Sequence, residues 1–459
     1  MRSSYQLSLP PAEGRAAGLS WLEASRLHEE GTGGWKPQAV DSRDGCPPPF
    51  ARCSVVVPAR AKSQPIRLNP TGSHCKKTAT PSLTVEPLTS GAFPSTSPYQ
   101  PSTILACLER MPPTATFGFA CMKTFPLLAV LAVLAGSLAV AQEPLTYSGM
   151  EGPGKGRKVV FIASDHEYKS EETLPALARV LAKHFGFNCT VLFGLDKATG
   201  NVKPGESNIP GTGALKEADL MVIFTRFQDL PAEQMQPIVD YLKRGGPVVG
   251  LRTATHGFKI AKDSPFAKFD YHYAGEEYKN GFGRQILGET WVGHYGPNHK
   301  SSTRIDLVAD KAGHPVLSGV SHAWAQEGAY NAYPIEGSEI LAMAQPLNGM
   351  EPGSPDDTTK KPMPAAWVRT YKSESGKEGR VFASTYGSSG AFENEGFRRM
   401  LVNACMWAVG LEKAIKPDMD VSLVGPFHPT WHGGVKRAAF KPQDLAGWDS
   451  PIPPPASSK

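Results

Sequence analysis

Residues 122–141 (MKTFPLLAVLAVLAGSLAVA) have the layout of a secretory signal peptide, although 121 residues precede them. Met122 and Lys123 form a short positive start, an apolar run follows, and Ala139–Ala141 is a small-residue cleavage motif before Gln142. A membrane-spanning helix and a buried core helix are the alternatives. The apolar run is shorter than the roughly 20 residues that span a bilayer, and it has no polar face. The sequence therefore predicts a periplasmic or extracellular domain that begins after this segment.

The segment upstream of the signal-like run, residues 1–121, lacks the patterning of a folded domain. It contains 16 of the 42 prolines and shows no apolar periodicity, so it cannot bury enough surface to offset the entropy cost of ordering. Its five cysteines do not have the spacing of a zinc site: Cys46, Cys53, Cys75, Cys107 and Cys121. We expect either a disordered leader or a start codon assigned too far upstream, with Met122 as the true first residue.

Charge is balanced in the part of the chain that we expect to be exported. Residues 142–459 contain 35 basic and 35 acidic residues, whereas residues 1–121 contain 12 and 8. This balance gives no nucleic-acid footprint, and we expect no stable membrane insertion after signal cleavage. Cys189 and Cys405 lie in apolar runs; a disulfide between them is chemically possible in an oxidising compartment, but we expect buried free thiols.

Apolar runs alternate with amphipathic segments in residues 158–252, which predicts an α/β fold. Strands are predicted at 158–164, 188–194, 218–225 and 247–252, with helices at 171–186 and 231–244 between them. This alternation favours a mostly parallel sheet with helices on both faces. Further strand-like runs lie at 303–309, 339–344, 365–371 and 380–386, a long loop or lid at 262–302, a closing helix at 394–410, and a Pro-rich surface tail at 411–459.

Polar residues follow three of the predicted strands. They are Asp165, His166 and Glu167 after the first, Arg226 after the third, and Arg252 and His256 after the fourth. Ligands of open α/β sheets bind beyond the carboxyl ends of the strands, so these residues are candidates for a site. Arginines there either clamp a substrate carboxylate or sugar hydroxyl, or pair with Asp165 or Glu167 to hold the site together.

The long loop adds two histidines and several aromatic residues. His294 and His299 frame a Gly296-Pro297 turn, and Glu327 supplies a further carboxylate. Rings suited to sugar faces, or to plain packing, are Trp291, Tyr295, Trp324, Tyr330 and Tyr333. Histidine–carboxylate acid–base catalysis is one interpretation of this set. A divalent metal bound by His166, His294 and His299 is a second, and loop histidines that only hydrogen-bond the backbone are a third.

Several blocks between residues 158 and 410 resemble the ThuA-like (trehalose-utilisation) family, a branch of the class I glutamine amidotransferase-like superfamily. The blocks are KVVFIASDHEY, ADLMVIFT, YLKRGGPVVGLRTATHGF, PAAWVRTY, GRVFASTYG and FRRMLVNACMWAVG. The resemblance implies a flavodoxin-like sheet without the amidotransferase cysteine, and a link to sugars, including oxidised (keto) sugars, in bacteria that often export such proteins. Many members have a histidine where this chain has Arg252, and Gly-His where it has Gly387-Ser388.

The sequence and the resemblance together predict an exported ThuA-like domain, residues 142–410, that acts on a carbohydrate or keto-sugar derivative as an isomerase or hydrolase-like enzyme. The predicted catalytic residues are His166, Glu167, His256, His294 and His299, and the predicted substrate-binding residues are Asp165, Arg226, Arg252, Tyr295 and Glu327. A non-catalytic sugar-binding module and a metal-dependent hydrolase are the alternatives. A divalent metal is the one cofactor under consideration, and the sequence does not indicate an oligomeric state.

Overall fold

One ten-stranded sheet organises the part of the chain that the computed structural model describes, residues 143–430 and 438–455. The strands are β1 (Leu145–Ser148), β2 (Lys158–Ser164), β3 (Asn188–Phe193), β4 (Leu220–Thr225), β5 (Val248–Leu251), β6 (Thr303–Leu307), β7 (Trp324–Ala325), β8 (Glu339–Pro346), β9 (Met363–Lys372) and β10 (Glu378–Ser384). The helices are α1 (Ser170–Phe185), α2 (Ala232–Lys243), α3 (Ser389–Glu393) and α4 (Glu395–Ala408). The predicted signal peptide and upstream segment lie outside the described residues.

Five neighbouring strands, in the order β3-β2-β4-β5-β10, form a parallel block. The apolar run of β2 is buried on both faces, as the sequence predicts. Val159 and Phe161 belong to a core shared with α1 and α4, whereas Val160 and Ile162 belong to a core shared with α2. The α/β class and the placement of helices on both faces are therefore confirmed.

The remaining strands extend the sheet in the antiparallel sense. β9, β8, β6 and β7 continue from β10, and β1 adds to the other edge beside β3. A tight turn between Ser373 and Lys377 connects β9 to β10, so the chain reverses without the crossover helix that parallel pairing needs. The predicted mostly parallel sheet is thus wrong for this half of the fold, and the sheet as a whole is mixed.

Helix boundaries follow the local signals that the sequence carries. α1 ends one residue before Gly186, whose φ of 80° lets its amide bond to Ala182 while Phe187 bonds to Leu181. Asn394 caps α4 through a 2.9 Å bond from the amide of Phe397. Cys189 and Cys405 are buried free thiols, as expected.

The long loop and the tail pack on this framework without adding a strand to its parallel block. Residues 262–302 contain only short turns of helix. The described parts of the tail lie against β1 and α1, where fully buried Arg179 donates to the carbonyl oxygens of Leu445 (2.9 Å) and Ser450 (2.8 Å). In residues 143–430 and 438–455, no helix combines the length and the apolar character that crossing a membrane requires.

Candidate functional site

The residues that follow β2 and β4 meet at the carboxyl end of the parallel block. Glu167 and Arg226 form an ion pair in which Arg226 Nη1 lies 2.7 Å from Glu167 Oε2, and about one sixth of each side chain is exposed. The same Nη1 lies 2.8 Å from Nε2 of His166. Because a guanidinium can only donate, His166 accepts at Nε2 and its neutral form carries the ring proton on Nδ1.

The long loop completes the surroundings of Glu167. His299 Nε2 lies 3.3 Å from Glu167 Oε1, and Asn298 donates to the same oxygen at 3.2 Å. Asn298 also donates to the hydroxyl of Tyr168 at 3.1 Å. Asn298 and His299, which lie more than 130 positions further along the chain, therefore fix the Glu167 carboxylate after β2. The predicted proximity of Glu167 and His299 is observed.

Opposing effects set the protonation state of this group. Burial alone raises the pKa of Glu167, but Arg226, a hydrogen bond from Tyr168, Arg252 and His299 together bring it below its ordinary value. Burial and the positive charge of Arg226 lower the pKa of His166 despite Glu167. At neutral pH the site therefore contains an ionised carboxylate beside a neutral imidazole.

His256 lies among aromatic rings on the far side of Arg226. Its imidazole centroid is 5.0 Å from the rings of Phe227 and Trp291 and 6.3 Å from that of Tyr330. The Arg226 guanidinium lies 5.0 Å above the Phe227 ring, which links His256 to the Glu167 group. Burial, together with the charges of Arg226 and Arg252, lowers the pKa of His256 well below its usual range.

His294 contacts the same rings from the long loop. Its imidazole is 5.7 Å from Trp291 and 5.5 Å from Tyr330, and its main chain bridges to Tyr330. Burial and the charge of Arg252 lower its pKa to about 4, against a smaller opposing effect of Glu167. Its buried Nδ1 has no hydrogen-bond partner among the described residues. We call His166, Glu167, Arg226, His256, His294 and His299 the strand-end cluster.

Asp165 lies beneath this cluster and organises the turn after β2. It is fully buried, and its carboxylate accepts from the amides of Glu167 (3.1 Å) and Tyr168 and from Thr253 Oγ1 (3.2 Å). Burial raises its pKa to about 6 in spite of these hydrogen bonds. The contacts that the structure gives Asp165 are therefore with the protein framework.

Arg252 is also buried, at a backbone φ of 44° directly after β5. Its Nη1 donates to the carbonyl oxygens of Gly328 and Thr385, both at 2.8 Å, and Nη2 donates to the Tyr168 hydroxyl at 3.0 Å. The guanidinium carbon lies 3.7 Å from the centroid of Tyr330. Arg252 thus joins three loops from inside, rather than pairing with Asp165 or Glu167 as one interpretation of the sequence suggested.

Glu327 and Tyr295 lie outside the strand-end cluster. Glu327 is buried and accepts from the amides of Gly387 (2.8 Å) and Ser388 (2.9 Å) and from the Ser388 hydroxyl, at the start of α3. Tyr295 packs against the main core, with Lys360 4.8 Å above its ring. Neither side chain contacts a cluster residue through a hydrogen bond that the structure describes.

Comparison with known proteins identifies the family. A sequence model described as "ThuA: Trehalose utilisation" matches residues 158–408, more than half of the chain. The chain belongs to the ThuA family. The strand-end cluster lies within the matched residues, and the family's description associates this ThuA domain with carbohydrate use.

The solved structures that match this chain include two ThuA-like proteins. The one from Bacteroides uniformis ATCC 8492 is 16% identical, with 59% of this chain and 98% of that chain covered and a TM-score of 0.37. The one from Parabacteroides merdae ATCC 43184 is also 16% identical, with 56% and 91% covered and a TM-score of 0.35. No curated protein matches the chain.

The structure of this ThuA chain does not bring the candidate metal ligands together. Within residues 143–430 and 438–455, no three His, Cys, Asp or Glu side chains are grouped so that they could hold a metal ion. His166, His294 and His299 therefore do not form the predicted ligand set. The Nε2 of His166 pairs with the cationic Arg226, and the Nε2 of His299 pairs with the anionic Glu167. These two nitrogens therefore already have protein partners.

Sequence reasoning missed four residues that build the ThuA site: Tyr168, Asn298, Phe227 and Tyr271. Tyr168 and Phe227 directly follow predicted polar residues at strand ends, which is a signal that could have included them. Asn298 precedes His299, but no local pattern indicates that it faces Glu167. Of the predicted loop aromatics, Trp291 and Tyr330 adjoin the cluster, whereas Tyr333 is 59% exposed and Trp324 lies in β7.

Proposed function

We propose that this ThuA domain is an enzyme that moves a proton next to the carbonyl carbon of an oxidised (keto) sugar derivative. The observation that carries the proposal is the Glu167 carboxylate, which Arg226 and Asn298 hold against the imidazole of His299 at 3.3 Å. A carboxylate that orients a histidine and stabilises its protonated form is a recurring device of acid–base catalysis. The site lies beyond the strand ends, where α/β sheets bind their ligands.

His299 is the proposed general base and acid. Its side chain is 42% exposed, so a bound sugar reaches it, and its φ of 65° is an uncommon conformation of the kind that concentrates at functional sites. A proton leaves the carbon beside the carbonyl and binds to the imidazole, which leaves an enolate on the sugar. Glu167 stabilises the imidazolium until the proton returns to carbon or oxygen.

His294 is proposed to bind the sugar, because it is partly exposed and its lowered pKa leaves an uncharged hydrogen-bonding group for a hydroxyl or the carbonyl oxygen. His256, which is only 1% exposed, is proposed to hold the surrounding aromatic rings in place. Trp291 and Phe227 are partly exposed aromatic rings of this region, and they offer apolar faces beside His294 and Arg226. Asp165, Arg252 and Glu327 are proposed to act as positioning residues, because their polar groups contact the main chain of the loops that carry the cluster.

We also propose that the parallel block is a flavodoxin-like, glutamine amidotransferase-like core. In chain order its strands run 2-1-3-4-5, which is the flavodoxin-like arrangement. In that arrangement ligands bind where the strand order reverses, between the first and third strands. Here these strands are β2 and β4, and the turns that follow them carry His166, Glu167 and Arg226.

Proton exchange into deuterated water tests the proposed chemistry. The probe is trehalose with one secondary hydroxyl oxidised to a ketone, and NMR follows loss of the signal from the proton next to the carbonyl. We expect Glu167→Gln and His299→Asn each to slow exchange by about 100-fold, which is typical of removing acid–base assistance. His184→Asn is the matched control. His184 lies in the last turn of α1, and its imidazole pairs with the carboxylate of Asp420 at 3.5 Å, outside the strand-end cluster.

Exchange at the wild-type rate in both site variants, with the fold intact by circular dichroism, would reject the acid–base role of this pair. The same assay tests His256 and His294, the two predicted catalytic histidines that contact aromatic rings. His294→Ala should abolish turnover of the keto-trehalose without unfolding the protein, because its partly exposed imidazole borders the proposed sugar position. His256→Ala should do the same indirectly, because buried His256 packs against the Trp291 ring that His294 contacts.

A sugar-binding module without catalysis is a second candidate function. The partly exposed rings of Phe227 and Trp291 beside the cluster favour it, since aromatic faces bind sugars without chemical change. Calorimetry with trehalose and with keto-trehalose separates the two functions. Binding of both sugars, with no exchange at any pH, would favour the module.

Export of the domain is proposed from residues 122–141, which lie outside the described part of the chain. Expression from Met122 in a bacterial host with a periplasm tests it, with expression from Met1 as the comparison. Cleavage after Ala141 should give a periplasmic product that begins at Gln142. An uncleaved product in the cytoplasm would reject export by this segment.

A further inference from the structure

A cavity lies beside the strand-end cluster. It has a volume of about 550 Å³, within the usual range for small-molecule sites, and residues 259–275 supply its walls. Tyr271 separates it from the cluster: the Tyr271 ring is 5.2 Å from Phe227 and 6.2 Å from His256. Lys259 also faces both regions, since it lines the cavity and its Nζ lies 6.0 Å from the Phe227 ring. Tyr271 and Lys259 therefore border both the cavity and the cluster.

The wall of the cavity is a fixed aromatic platform. The rings of Tyr271 and His272 stack at 3.8 Å with an interplanar angle of 27°. The Asp270 carboxylate holds this turn, because it accepts from the amides of Ile260 and His272, both at 2.8 Å. Thr290 Oγ1 donates to the Tyr271 carbonyl oxygen at 3.0 Å. Each ring covers one face of the other, and an outer ring face held in this way binds a sugar ring at low ordering cost.

The charge that the cavity presents is positive. Lys259 and Lys262 are exposed on its lining, and no carboxylate of residues 143–430 and 438–455 forms an ion pair with either. The one carboxylate of the lining, Asp270, already accepts from two main-chain amides. An anionic group in the cavity can pair with Lys259 and Lys262. The carboxylate of Asp270 also faces the cavity, but main-chain amides already occupy part of its acceptor positions.

We propose that this cavity binds a second sugar unit that carries an anionic group, so that the substrate is an acidic glycoside of at least two units. The proposal rests on the proposed function, because the reacting unit occupies the strand-end cluster. The second unit stacks on the Tyr271–His272 platform, and its carboxylate is bound by Lys259 and Lys262. The cavity thereby selects the substrate, while the cluster carries out the chemistry.

Calorimetry with a matched pair of disaccharides tests the inference. The probes are trehalose and trehalose with one primary hydroxyl oxidised to a carboxylate, together with glucuronate alone. The full chain should bind the acidic disaccharide about tenfold more tightly than trehalose, as expected for one or two exposed ion pairs, and more tightly than glucuronate. Lys259→Ala combined with Lys262→Ala should abolish this preference. Lys197→Ala combined with Lys361→Ala is the control, because both of these lysines are exposed elsewhere.

Equal binding of the acidic and neutral disaccharides overturns the inference, and so does a preference that survives removal of both cavity lysines. Glucuronate that binds as tightly as the acidic disaccharide also overturns it, since the cavity would then be a separate site for small acids. These results are independent of turnover. If Glu167→Gln and His299→Asn exchanged protons at the wild-type rate, the proposed function would be rejected. The binding preference could still be measured.

Discussion

The turns after β4 and β5 each begin with an arginine, yet the two arginines have different surroundings. Arg226 is partly exposed and pairs with Glu167 and His166, all of which adjoin the proposed substrate. Arg252 is fully buried, and its bonds go to the carbonyl oxygens of Gly328 and Thr385 and to Tyr168. Two strand-end arginines of one sheet therefore differ in their contacts: the second holds loops together, whereas the first belongs to the group for which we propose chemistry.

The difference arises from what packs above each strand. Loops from the second half of the chain cover Arg252 and supply carbonyl oxygens and the Tyr330 ring, which lies 3.7 Å from the guanidinium carbon. Within the described part of the chain, Arg226 has no carbonyl partners of this kind; its side chain contacts Glu167, His166 and the Phe227 ring. Burial of the Arg252 guanidinium is offset by hydrogen bonds at both terminal nitrogens, whereas partly exposed Arg226 keeps charge available for a ligand.

The largest effect should come from removing the buried arginine. Arg252→Met leaves the carbonyl oxygens of Gly328 and Thr385 without their donor and removes one of the two donors to the Tyr168 hydroxyl, and we expect a loss of about 3 kcal/mol in the free energy of unfolding. Urea unfolding measures it, with Arg252→Lys as a variant that keeps the charge and part of the bonding. A loss below about 1 kcal/mol would show that Arg252 does not stabilise the fold by holding these loops.

Removing the partly exposed arginine should affect activity rather than stability. Arg226→Met frees Glu167 and His166 from their shared partner, and we expect keto-trehalose exchange to fall by about 100-fold. The free energy of unfolding should change by no more than about 1 kcal/mol, as for a partly exposed ion pair. A stable variant that exchanges at the wild-type rate would show that Arg226 has no part in the chemistry.

A smaller change on the Arg226 side sharpens the comparison further. Gly205 has a φ of 82°, and a Cβ added there would lie 2.8 Å from the His166 Cβ and 2.9 Å from its Nδ1. Gly205→Ala should cost about 1–2 kcal/mol in stability and slow exchange several-fold by displacing His166. Gly213→Ala is the control, because nothing lies within 4 Å of its added Cβ. Equal exchange rates in the two variants would exclude a role for the position of His166.

The smallest expected effect is a pH dependence of stability. The pKa of His294 is lowered to about 4, so its contribution to stability is present above pH 6.5 and is lost as the pH falls toward 4. Asp165, with its pKa raised to about 6, opposes this, because its contribution is present at low pH and is lost as the pH rises through 6.

His294→Asn should therefore lose less stability than the wild type between pH 7 and pH 5. We expect a difference on the order of 1 kcal/mol, since half-exposure of the imidazole weakens the effect. Urea midpoints at the two pH values measure it. Identical losses in both proteins would show that His294 does not titrate abnormally in the folded state.

The parallel block was predictable because its signals are local. The apolar run of β2, the spacing of α1 and the glycine after it are all read from neighbouring residues. The antiparallel half was less predictable, since its pairing depends on a turn at 373–377, and β7 has only two residues. Tertiary pairing, not local preference, decides such strands.

The candidate site shows the same limit. Position at a strand end correctly indicated that Glu167 and Arg226 belong together. It could not separate Arg226 from Arg252, nor show that Glu327 would accept from the amides after β10, because residues more than 50 positions away in sequence decide those contacts. The contact between Asn298 and Glu167 likewise depends on how the long loop folds back.

The most direct test of the account is an NMR titration of histidine ring nitrogens with keto-trehalose. If the strand-end cluster is one sugar site, the signals of His166, His256, His294 and His299 should shift together with a single affinity. The signals of His184, His314 and His322, which lie outside the cluster, should stay in place. Shifts confined to those three outer histidines, or no shift in the cluster at saturating sugar, would contradict the account.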